Sequence, residues 1–154
     1  MSFEIVHTVP DWYDGPRGGI ANYNGIPHLF QSEFRDIEVQ DGEYLEADTS
    51  LLMPIDDETF SLAKEDWGIW RRYETAFCKK EVTSEHHPSL PQERNRHLEL
   101  EAELEAKLHI EPARAVRKKA EFLAREDPNW SGCGWHPLEV RWIDLEDTEE
   151  ANSS

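Results

Sequence analysis

The sequence predicts an α+β fold in which an antiparallel sheet, carrying an N-terminal Asn-Gly hairpin, packs against about three helices. Three observations lead there. Asn24-Gly25 lies between two strand-like runs, Ile20 to Tyr23 and Ile26 to Phe34, and this pair meets the positive φ that a type I′ turn demands at both central residues. Between Asp56 and Lys80 large apolar residues recur at spacings of three and four, the period of a helix with one buried stripe. Near the end, Leu138, Val140 and Trp142 alternate with Glu139 and Arg141, the period of a strand.

Taken in order, Phe3 to Val9 alternates loosely and reads as a first strand ended by Pro10. Asp14-Gly15-Pro16 and Gly18-Gly19 carry turn chemistry, so the chain is expected to reverse there before the hairpin. Pro27 lacks an N–H, which places the start of the return strand at an edge or with that position turned outward. Residues 35–50 are mostly polar, with Asp41-Gly42 between Ile37-Val39 and Tyr44-Leu45; they form either a small extra hairpin or a long loop. Leu51-Leu52-Met53 suits a central strand.

The first helix has Asp56 as N-cap, Asp57 and Glu58 at the positive end of its dipole and Lys79-Lys80 at the other. Phe60, Ala63, Trp67, Trp70, Tyr73 and Phe77 form its expected apolar stripe. Pro91 suits the first position of a second helix reaching Leu108, with His97 or Leu98, then Leu104 and Leu108, inward, and Glu99, Glu101, Glu103 and Glu105 solvated. A third helix is expected from Pro112 to about Arg125, with Val116, Ala120 and Leu123 inward and Arg114, Arg117, Lys118 and Lys119 outward.

Length allows one domain, expected to span 1–145, followed by a frayed acidic tail over 146–154; a domain of 154 residues buries roughly 70% of its extended-chain surface. The charge is −17, from 33 acidic and 16 basic residues, which disfavours nucleic-acid phosphates and anionic membranes as direct partners and favours a basic protein partner. Six Trp, six Phe and four Tyr argue against disorder. Cys78 and Cys133 show neither a disulfide framework nor zinc spacing, so reduced thiols in a cytoplasm are expected. The N-terminus lacks a basic stretch followed by an apolar core, and no apolar run approaches the roughly 18 residues that cross a bilayer.

Candidate chemistry is sparse. Asp11, Asp14 and His28 could converge as a divalent-metal or acid–base set, although turn geometry alone explains Asp14. His86-His87 with Glu85 and His97 lacks the i,i+4 spacing of a helical metal site. Cys133 beside His136 raises a nucleophile question that loop residues three apart seldom answer. No cofactor and no metal ligand set is expected. Trp12-Tyr13 and the Trp130 to Trp135 segment lie in expected loops, where binding residues concentrate, while the remaining tryptophans suit a core. The basic segment from Arg114 to Arg125 is expected to pair with the acidic second helix or with a second subunit.

The runs YDGPRGGIANYNGIPHLF, LLMPIDDETFSLAKEDWGIWRRYETAF and HPSLPQER resemble a family of small uncharacterised bacterial proteins that share this motif order over about residues 8 to 108. The resemblance implies no activity, cofactor or catalytic residue. The resulting expectation is a non-enzymatic cytoplasmic interaction or regulatory module with an acidic surface and an aromatic groove at Trp12, Tyr13, Asp14 and His28. Two alternatives stand beside it: a small hydrolase or metal-dependent enzyme using Asp14 and His28, and an acidic nucleic-acid mimic that inhibits a DNA-binding protein.

Overall fold

The hairpin forms where its turn chemistry puts it. Asn24 and Gly25 both take positive φ, 54° and 77°, and join β2 (Pro16–Tyr23) to β3 (Ile26–Ser32). The Glu4 carboxylate holds this turn by accepting from the backbone N–H groups of Asn24 at 3.0 Å and Gly25 at 2.7 Å. The computed structural model describes residues 2–12, 16–33, 49–82, 89–130, 132 and 134–145, together with the backbone of 36–38 and 44–46. Two compact units result: 1–54, 110–123 and 139–154 in one, and 55–109 with 124–138 in the other.

The first unit is a closed antiparallel barrel of β1 (Glu4–Trp12), β2, β3, β6 (Thr49–Pro54), β7 (Val116–Ala124) and β8 (Leu138–Ile143), in that order around the ring. A separate two-stranded piece, β4 (Asp36–Glu38) and β5 (Tyr44–Glu46), lies between β3 and β6 in sequence, which realises the small extra hairpin. The expected α+β sheet packed against three helices is therefore wrong: the fold is mostly β, and its sheet has no open edge because β8 pairs back onto β1 through Glu4↔Val140 and Ile5↔Glu139.

Three local differences explain the change. The segment read as a third helix is β7, paired with β6 from Leu52↔Val116 to Thr49↔Lys119. Gly18 and Gly19 are strand residues opposite Gln31 and Phe30, not a turn. Gly19 is needed for proximity, since a Cβ there would fall 2.0 Å from the Thr8 carbonyl oxygen. Pro10 does not end β1, because it falls in a register irregularity between Thr8↔Ile20 and Asp11↔Gly18, where a missing donor costs no ladder bond. Pro27 lies one residue beyond the last β3–β6 pair, His28↔Pro54.

Register and packing identify the barrel's inward side chains. Phe30, Phe122 and Trp142 meet with ring centroids 5.8, 5.9 and 6.2 Å apart, and Val6, Leu52 and Val140 are buried with Phe30 and Trp142. The Trp142 indole N–H donates to the Asn22 carbonyl at 2.8 Å, so its polar end is satisfied. Alternation then places Lys118, Ala120 and Phe122 on the inner face of β7, while Val116 and Leu123, both expected inward, are exposed.

The second unit contains α1 (Asp57–Cys78), a 3₁₀ turn at Pro91–Glu93 and α2 (Arg94–Lys107). Asp56 caps α1 as expected, accepting from Thr59 N at 2.7 Å, a contact worth about 1 kcal/mol. The buried face of α1 is Thr59, Ala63, Ile69, Tyr73 and Ala76, and that of α2 is His97, Leu100 and Leu104. Phe77, expected in the stripe, is exposed. Ion pairs tie the helices together: Arg72 Nε donates to Glu93 at 2.7 Å, and Arg96 grips both Glu65 oxygens at 2.6 and 2.8 Å. That grip holds the Glu65 carboxyl below its ordinary value. Cys78 is disulfide-bonded, contrary to the expected reduced thiols; Cys133 lies outside the described residues.

Candidate functional site

Of the four binding residues expected from sequence, Tyr13 and Asp14 lie outside the described residues. Trp12 ends β1 opposite Pro16 and is 56% exposed. His28 is only 8% exposed and sits opposite Ala21. Pro16 and Ala21 are separated along β2 by five steps of about 3.3 Å each, so Trp12 and His28 do not share one patch. Asp11 packs over Gly18, where a Cβ would meet its Oδ2 at 3.4 Å, also away from His28.

The other sequence candidates scatter. His86, His87 and Cys133 lie outside the described residues. His97 is buried between helices, its Nδ1 2.6 Å from Asp66 Oδ1 and its Nε2 3.0 Å from Glu101 Oε2. His136 stands edge-on to Trp130 at 4.3 Å. Among the described residues no group of three or more His, Cys, Asp or Glu is placed to hold a metal ion.

The barrel instead gathers a polar set that sequence reading left apart. His28 Nδ1 lies 2.7 Å from the Ile26 carbonyl oxygen. Since a carbonyl only accepts, Nδ1 carries the proton. The Tyr23 ring stands edge-on to His28, 5.2 Å between centroids. Lys118 Nζ reaches the Tyr23 side chain, 5.6 Å from its ring centroid, and hydrogen-bonds to Asp144. The Asp144 hydrogen bond, with a smaller contribution from Tyr23, raises the Lys118 pKa against the opposing pull of burial. In the sequence Lys118 is one basic residue among several in an expected helix, and Asp144 opens an acidic tail. The period-two placement of Ala120 and Phe122 was the available signal for the inward direction of Lys118.

A pH prediction follows from the sign of that shift. A lysine whose folded pKa lies above its ordinary 10.5 stabilises the fold fully below the unfolded value, and the contribution is lost as pH rises through the folded one. Urea titrations across the alkaline range should show unfolding free energy falling above about 10.5 more steeply in the natural protein than in Lys118→Met. Parallel slopes in the two proteins would contradict this.

Three basic residues of the 114–125 segment have carboxylate partners within the first unit. Arg117 forms a two-pronged contact with Glu33 at 2.5 and 3.0 Å, Lys118 takes Asp144 and Arg114 takes Glu111. On α2, Arg96 reaches Glu99 at 3.2 Å, whereas Glu103 and Glu105 are exposed and have no ion-pair partner among the described residues.

Aromatic side chains occupy the same unit. Trp67 and Trp70 stack at 4.7 Å, and Trp135 stands edge-on to Trp67 at 5.4 Å. All three are half-buried, and Trp130 is 38% exposed. Trp135 is fixed from its backbone side, its carbonyl accepting from Arg71 at 3.2 Å, and Arg71 is in turn paired with Glu74 at 2.7 Å.

Searches against family models, curated proteins and solved structures return no match to this chain. Among the described residues no helix is long and apolar enough to cross a membrane.

Proposed function

We propose that the protein is a non-enzymatic interaction module whose helical unit holds a positively charged segment of a partner protein. The observation that carries this reading is the exposed acidic surface of α2, where Glu103 and Glu105 have no cation among the described residues, in a chain of charge −17. Such a field raises the encounter rate with basic segments and repels nucleic acid. The half-exposed indoles of Trp67, Trp70 and Trp135, with Trp130, add flat faces over which a guanidinium or ammonium group gains about 0.5–2 kcal/mol. Rigid aromatic anchors combined with a charged rim are a usual composition for protein interfaces.

The test is a tryptophan-fluorescence titration with a short synthetic peptide rich in arginine and lysine, at low and at physiological ionic strength. Binding should weaken as salt rises. Replacing Glu103 and Glu105 together with glutamine should weaken it further, at about 0.5 kcal/mol for each charge, a factor of about five for the pair. Salt-independent binding, or equal affinity for a neutral peptide of the same length, overturns the proposal.

A further inference from the structure

Cys78 is disulfide-bonded, and the sequence offers it one partner, Cys133. The bond belongs to a series of contacts along one stripe of α1. Trp67, Arg71, Glu74 and Cys78 follow one another at spacings of four, three and four within that helix, which puts them on one face. Trp135 stands edge-on to Trp67 at 5.4 Å, and its carbonyl accepts from Arg71 at 3.2 Å. Gly134 lies against the next position, since a Cβ on it would fall 2.5 Å from the Glu74 carboxyl. As its residue numbers fall, the segment therefore passes from Trp67 and Arg71 to Glu74, and Cys78 is the position that follows on the stripe.

The segment has little apolar packing to hold it there. Among the described residues of 124–138 none is buried. Its two ends are joined by Arg125 N, which donates to the Pro137 carbonyl at 2.8 Å. Segments with few buried contacts open at free energies far below that of the whole fold, so a covalent bond to α1 is the contact whose loss changes this one most. Cys78 is half-buried between the exposed Phe77 and Lys79, within reach of a dissolved thiol, and accessible disulfides are the ones that exchange readily.

We propose that Cys78 and Cys133 form a thiol-responsive clamp. Oxidised, it fixes the segment around Trp135 against α1; reduced, it releases that segment and uncovers the Trp67 ring on which Trp135 stands. The step is a two-electron exchange with a dithiol. One thiolate of the reductant attacks Cys78 Sγ, and the Cys133 sulfur leaves and takes up a proton. The second thiol of the reductant then displaces Cys78 as a thiol, so the reductant ends as a disulfide and the protein as two thiols. No carboxylate of α2 takes part, so this proposal and the basic-partner reading can fail separately.

The test uses the full chain with dithiothreitol as the dithiol. A digest made without reductant should yield the peptide containing Cys78 joined to the one containing Cys133, from monomeric protein. Hydrogen exchange followed by mass spectrometry should then show peptides covering 128–137 exchanging about tenfold faster or more after reduction, as expected for a local opening, with peptides of β2 and β3 unchanged. Cys78→Ser should show the fast exchange without reductant, and reoxidation of the natural protein should restore the slow one. The proposal is overturned if Cys78 is joined to a second chain or is free, if exchange over 128–137 is the same in both redox states, or if reduction speeds exchange in β2 and β3 equally, which would make the bond a staple of the whole fold.

Discussion

Gly19→Ala is expected to abolish the barrel. The new methyl would lie 2.0 Å from the Thr8 carbonyl oxygen and 2.8 Å from its carbon, and both obstacles are backbone, so no side-chain rotation relieves the overlap. β1 and β2 would have to separate where Thr8 pairs with Ile20 and where the Thr8 hydroxyl accepts from Ile20 N at 3.0 Å. The cost should exceed the roughly 1–3 kcal/mol of ordinary overpacking and take a large share of a total stability of about 5–15 kcal/mol. Circular dichroism and a dispersed proton spectrum check the outcome. Two controls isolate the cause. At Gly25 nothing lies within 4 Å, and only its positive φ of 77° opposes a side chain, so Gly25→Ala should cost about 1–2 kcal/mol. At Gly18 the nearest atom is the Asp11 Cβ at 3.3 Å, a neighbour able to shift. If Gly19→Ala melts within a few degrees of Gly25→Ala, the close approach of β1 and β2 is disproved.

Phe30→Ala should be the most damaging truncation inside the barrel. Phe30 is 1% exposed and touches both Phe122 and Trp142. Its removal leaves a cavity bordered by two large rings that a rigid barrel wall cannot close. A loss of about 3–5 kcal/mol is expected, combining lost transfer energy with the cavity. Urea unfolding with an unchanged slope would report it as a shifted midpoint. Phe77→Ala, at an exposed helical position, serves as the comparison and should cost under about 1 kcal/mol. Similar losses at both positions would mean that Phe30 is not at the centre of the core.

The parts of this fold legible in the sequence were those settled within a few residues. Asn24-Gly25 defines its turn through backbone geometry, and Asp56 caps α1 through a contact three residues away. Barrel closure is different in kind, because it depends on residue 4 meeting residue 140 and no local pattern encodes that. β7 was misread for a related reason. VRKKAEFLA is built of good helix formers, and it becomes a strand only because β6 offers it a ladder on one side and β8 on the other. A helical period turns Lys118 toward solvent, whereas the strand period turns it toward Tyr23 and Asp144. The same local logic expects Trp67 and Trp70 on the buried stripe of α1 beside Ala63 and Tyr73; Ala63 and Tyr73 are buried there with Ile69, while the two half-buried indoles stack on each other and Trp135, 68 positions after Trp67, stands edge-on to Trp67.

Closure also restricts how anything can attach to the barrel. Recognition by strand addition requires a row of unpaired backbone donors and acceptors along a sheet edge. A ring in which β8 returns to β1 presents no such row. Among the described residues the β4–β5 ribbon is the sheet that keeps outer edges, and each of its strands is three residues long. A partner that recruits by augmenting a sheet has that short ribbon available to it, and a partner that binds anywhere on the barrel wall must do so through side chains alone.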